Sequence, residues 1–150
     1  MAKFVYRMQN ILNIKQKLET QAKMTYSLAN QKYVEQQKIL QEYMVRRVGY
    51  EQHWKKLMQG NLNLQEVEHA RADVNAMKTI VRRQMVEVHK AEKELEDARN
   101  RLKTVMQERK VQEKLREKAF EEFKQEHAEA ETKEIDELVS YTYNKGEQGE

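Results

Sequence analysis

The chain has 150 residues, 35% of them charged and 39% hydrophobic, with four glycines, no proline and no cysteine. A globular domain of this length carries more turn formers and more apolar residues, and a chain without cysteine cannot be a disulfide scaffold. The net charge of +3 arises from acids and bases that alternate, as in KAEKELEDARNRLK (90–103), so no face is strongly cationic and nucleic-acid binding is disfavoured.

Glu, Lys, Arg, Gln, Ala, Leu and Met dominate, and these are the strongest helix formers. The apolar content is too sparse for a thick core but enough for a narrow seam. The N-terminal stretch MAKFVYRMQNILNIKQKLE contains no apolar run long enough for a signal peptide or a membrane span. The expectation is a soluble, cytoplasmic protein, bound to a membrane assembly only through partners. The first helix is placed at about 4–58. Phe4, Met8, Ile11, Leu18 and Ala22 form one stripe. Tyr26, Ala29, Tyr33, Leu40 and Met44 continue it with a drift that suits a gently twisted pair. Gly49 has helix formers on both sides and reads as a tolerated interior glycine.

The clear interruption is LMQGNLNLQEVE (57–68), with the turn at about 59–63. Gly60 can take the left-handed conformation that ends a helix. Asn61 or Asn63 can cap the next one, with Glu66 three residues after Asn63 as in a capping box.

The second helix is placed at about 64–141, followed by a flexible tail at 142–150. Val67, Val74, Val81, Val88, Leu95 and Leu102 occupy one heptad position, and Ala70, Met77, Gln84, Ala91, Ala98 and Val105 the other. This is a coiled-coil seam. After Val105 the frame meets Arg109, Gln112 and Arg116, which predicts a shift to Leu115, Ala119, Phe120 and Phe123.

A short break between two amphipathic helices predicts an all-α fold, a long antiparallel coiled-coil hairpin, with residues 1–150 forming a single rod. Folding about residue 60 sets Trp54 near Val67, Leu40 near Val81, and Phe4 near Glu117. The helices should be roughly 80 and 115 Å long, so about 20 residues from Ala119 onward overhang the partner helix. In EAETKEIDELVSY (129–141), Ile135, Leu138 and Val139 share one helical face, with Glu131, Glu134, Asp136 and Glu137 around them. Such a segment frays alone and orders on a partner. A second apolar concentration, Tyr43, Met44, Tyr50, Trp54, Leu57 and Met58, lies before the turn, with Met77, Ile80 and Gln84 across from it. Two readings stay open there, a widened core and a docking surface.

Catalytic readings find little to stand on. His53, His69, His89 and His127 are widely separated, and Glu66 with His69 gives a single Glu-x-x-His pair where a di-metal bundle needs two. No phosphate loop or dinucleotide fingerprint is present in the sequence. Neither an enzyme nor a cofactor or metal is expected.

The start FVYRMQNILNIKQ (4–16), the interior QGNLNLQEV, and EKLREKAFEEF (113–123) followed by EAETKEIDEL (129–138) resemble the N-terminal signature, hairpin turn and C-terminal signature of the FliJ family of flagellar export proteins. That resemblance implies a two-helix stalk similar to the gamma subunit of rotary ATP synthases. Its open end would sit in the pore of the hexameric flagellar export ATPase. Its rod would project to the cytoplasmic domain of the export-gate membrane subunit, and export chaperones would bind it. It implies no catalysis, and peripheral association with the basal body at the inner face of the cell membrane. On this basis Phe4, Met8, Phe120, Phe123, Ile135, Asp136, Leu138 and Val139 are the candidate ATPase-binding residues. Tyr43, Tyr50, Trp54, Met77 and Ile80, partly exposed, are the candidate gate-binding residues. The free protein is expected to be monomeric. The competing function is a generic coiled-coil scaffold or tether.

Overall fold

A computed structural model describes residues 3–147. Two helices account for most of them: α1, Gln9–Leu57, with 49 residues, and α2, Leu64–Glu147, with 84. No proline removes a backbone donor from either ladder, and strong helix formers fill both. The described residues contain no strand. The fold is an all-α antiparallel hairpin.

The connection follows from two residues. Gly60 has φ +86°, a conformation that strains any residue with a Cβ, and it breaks α1. Asn63, rather than Asn61, caps α2: its Oδ1 accepts the Gln65 backbone N–H at 3.1 Å, and its carbonyl accepts that of Val67 at 3.0 Å. Glu66 lies in the first turn, where a negative charge complements the helix dipole. Gly49 lies inside α1, which runs through it unbroken.

Contacts divide the chain into two compact units, residues 20–104 and residues 1–19 with 105–150. In the unit holding the turn, Val74, Met77, Val81, Ala91, Leu95 and Ala98 of α2 are buried with Ala22 of α1. Full burial of a valine such as Val74 or Val81 contributes about 1.5–3 kcal/mol. One polar pair interrupts the apolar layers. The Gln84 amide donates to the Gln36 carbonyl at 3.0 Å and to its side-chain oxygen at 2.7 Å. On the exposed flank Lys32 and Glu94 pair at 3.1 Å, an interaction worth little in water.

In the unit holding the described chain ends, Tyr6 before α1, Leu12 of α1 and Val105 of α2 are buried, Val105 completely. The Tyr6 hydroxyl donates to Gln112 Oε1 at 3.3 Å, and Lys15 pairs with Glu108 at 2.8 Å. Glu19 is buried as well, and it is paired with Arg109, which also holds Glu113 at 2.7 Å. The hydrogen bond to Glu113, and after it that to Glu19, raises the Arg109 guanidinium above its ordinary pKa against the opposing effect of desolvation.

These contacts revise three expectations. The shift expected after Val105 fails at Leu115 and Phe120, which are exposed: Arg109, Gln112, Ala119 and Phe123 keep the original seven-residue positions and are at least half-buried, and of that frame Arg116 is exposed. Arg109 and Gln112 stay sheltered because α1 supplies Glu19 and the segment before it supplies Tyr6. Nor does α1 drift. Its sheltered positions Leu12, Glu19, Tyr26, Tyr33, Leu40, Arg47 and Trp54 repeat every seven residues, as do Ala22, Ala29, Gln36 and Tyr43, with Leu57 following after the exposed Tyr50, while Met8, Ile11 and Met44 are exposed. Both ends of the helices also differ. Phe4 precedes α1 rather than beginning it, and α2 stays helical through Glu147 instead of giving way to a tail at 142. Residues 148–150 of that expected tail lie outside the described residues.

Candidate partner-binding surfaces

Around the described chain ends, the segment before α1 brings Phe4 onto α2. Its ring meets Phe120 edge-on at 5.0 Å and Phe123 at 5.5 Å. Arg116 lies 5.8 Å over the Phe4 ring and donates from Nε to Gln9 Oε1 at 3.0 Å. Aromatic contacts of this kind add about 0.5–1.5 kcal/mol each beyond burial. Lys124 covers Phe120 at 4.7 Å, and His127 stacks on Phe123 at 6.0 Å. Of four sequence candidates, Phe4, Phe120 and Phe123 form one cluster, and Met8 is exposed.

Sequence reasoning missed Tyr6, Arg116 and His127 at this end. His127 had a readable signal, since it follows Phe123 by four residues and precedes Glu131 by four. Its Nε2 lies 3.2 Å from Glu131.

Beyond His127, every residue from Ala128 to Gly146 is exposed. Ile135, Leu138 and Val139 are each about three-fifths exposed, at 59, 64 and 62%. Asp136 is exposed on the same stretch. The backbone of this segment satisfies itself through the helix ladder, and Thr132 and Thr142 donate back to the carbonyls of Ala128 and Leu138. Ile135, Leu138 and Val139 thus form an apolar stripe that no other part of the described chain covers.

In the turn-bearing unit, Tyr43 and Ile80 come together across the two helices and line a shallow groove with Arg83, Gln84, Val86 and Glu87. Tyr50 is exposed, and Trp54 is half-buried with its Nε1 lacking a hydrogen-bond partner among the described residues. Met77 corrects the expectation of partial exposure. It is only 7% exposed, because its heptad position points it into the seam.

Neither surface contains a constellation for chemistry. Among the described residues no group of three His, Asp or Glu side chains could hold a metal, and no helix is long and apolar enough to cross a membrane.

The model of the family described as Flagellar FliJ protein matches residues 4–148. The chain belongs to the FliJ family. Neither the comparison with curated proteins nor that with solved structures gives a match. The FliJ match spans both helices and both candidate surfaces, and it assigns the chain to flagellar protein export, where this family is a non-catalytic component. As a FliJ-family member, the chain is associated with the flagellar export apparatus.

Proposed function

We propose that this FliJ-family chain is the non-catalytic stalk of the flagellar export apparatus, linking the hexameric export ATPase to the export gate. The observation that carries the reading is the bare segment from Ala128 to Gly146. It presents Ile135, Leu138 and Val139 among Glu131, Glu134, Asp136 and Glu137, which suits insertion among basic loops lining a ring pore. Phe4 with Phe120 and Phe123 braces the base of that segment, and Met8 adds to the same end. The groove of Tyr43 and Ile80, with Tyr50 and Trp54, serves as the contact for the cytoplasmic domain of the gate subunit, and export chaperones use the exposed sides of the helices. The protein acts in the cytoplasm at the basal body, as a monomer when free, without inserting into the membrane, binding nucleic acid or needing a cofactor.

The test is deletion of residues 131–150. The truncated chain should fold but fail to stimulate or assemble the purified cognate export ATPase. Full retention of that activity overturns the assignment.

A further inference from the structure

The position of the bare stripe around α2 defines how its partner approaches. Within this unit, the segment of chain before and at the start of α1 contacts α2 at Gln112, Arg116 and Phe123, and Phe4 also reaches Phe120, which marks the edge of its cover. At about 100° per residue, Arg116 and Ala119 lie within about 40° of Phe123 around the helix. Ile135, Leu138 and Val139 fall about 120°, 60° and 160° round from Phe123, all in one direction. Phe120, exposed, lies about 60° round in that same direction, and His127 about 40°. The apolar residues of the bare segment thus do not prolong the seam. They prolong a neighbouring line that begins at Phe120.

The charges border this line. Glu134 lies at about 20° and Asp136 at about 220°, one on each edge, while Glu131 lies inside it at about 80°. Glu131 is the carboxylate that His127 approaches at 3.2 Å.

We propose that the stripe from Phe120 to Val139 is a docking face turned by about a third of a turn from the α1 seam, and that its occupant is an apolar groove with Lys or Arg side chains along both edges. Charge complementarity specifies those edges, since Glu134 and Asp136 would otherwise be left facing apolar or acidic surface. The inference rests on the stalk reading in taking the export ATPase as the owner of that groove. On this geometry α1 keeps its place when the partner binds, and the seam-side line of the bare segment, Ala130 and Glu137, stays outside the groove.

The experiment uses the full-length chain and the purified cognate ATPase. A photoreactive phenylalanine derivative is introduced singly at Ile135, Leu138, Ala130 or Glu137. These sites are all exposed, so helicity should be unchanged in each. Cross-links to the ATPase should form from Ile135 and Leu138 at several-fold higher yield than from Ala130 and Glu137. Equal yields, or a preference for Ala130 and Glu137, overturn the face while leaving the stalk reading intact. A full-length chain that fails to bind the ATPase before any substitution overturns the stalk reading, and the proposed owner of the groove with it. The edges are tested by Glu134→Gln with Asp136→Asn, which should weaken binding several-fold at low salt and less at high salt. Binding unchanged at low salt overturns the basic-edged groove.

Discussion

Glu19 of α1 and Arg109 of α2 meet inside the helix pair, the carboxylate buried and the guanidinium one-fifth exposed, with Glu113 on the same guanidinium. Taking two charges out of water costs more than an apolar pair of the same volume, but removing one partner costs more still. Arg109→Met should therefore lower the melting temperature, because it strands Glu19. Adding Glu19→Leu should recover most of the loss. Far-UV circular dichroism melts decide it, and a double variant melting no higher than the single one would refute the argument.

Gly49 and Gly60 predict opposite outcomes. Gly49 is helical, and a Cβ there would meet nothing within 4 Å. Gly49→Ala should stabilise the protein by about 0.5–1 kcal/mol, from helix propensity alone. Gly60 also has open space, but its φ of +86° makes Gly60→Ala unfavourable by about 1–2 kcal/mol. Urea unfolding of the two variants should move the midpoint in opposite directions.

The groove-side residues should separate into structural and binding roles. Met77→Ala empties a seam position and should cost about 2–3 kcal/mol. Tyr50→Ala should leave the melt nearly unchanged while weakening binding to the purified cytoplasmic domain of the gate subunit. Trp54→Phe, which removes an N–H without a partner, should cost less than about 1.5 kcal/mol. If Tyr50→Ala unfolds the protein, the widened-core reading of this end is the correct one.

Removing residues 131–150 should leave the melting midpoint in place, because residues 128–146 contribute no buried side chain. Only the helical signal should fall, in proportion to the residues lost. A clear drop in the midpoint would mean that the bare segment packs on the rest of the chain.

How far the sequence could be read depended on where each residue's partner lay. The α2 seam from Val67 to Val105 was legible because aliphatic side chains report their own burial through spacing alone. Arg109 and Gln112 were misread as the end of that frame. Their burial depends on Glu19 and Tyr6, about a hundred positions earlier, and no single-helix pattern displays such pairs. The same holds in α1, where Glu19, Gln36 and Arg47 occupy seam positions and broke the apparent stripe into a drift. Met77 was misplaced for the opposite reason: methionine suits a core and a contact patch equally well, so only its heptad position could decide. A bare segment was foreseen from unequal helix lengths, but from Ala119 rather than Ala128, because the pattern did not show that Phe4 reaches Phe120 and Phe123; its direction around α2 likewise required knowing where Phe4 and Gln9 lie.

The six residues from Met58 to Asn63 that join the helices also dictate an order of assembly. Trp54 and Val67 are brought together by closing a very short loop, and each later layer then closes almost no new loop at all. Made independently, the link from Tyr6 to Gln112 would have to close a separation of 106 residues against 48 for Gln36 to Gln84, about 0.7 kcal/mol more. The helices should accordingly zip from the turn outward. The part of the chain synthesised first is then the last to find its partner: Leu12 and Tyr6 stay bare until Val105 and Gln112 have been made. An arrested nascent chain ending before Val105 should therefore expose its N-terminal residues to protease while residues near the turn are already protected.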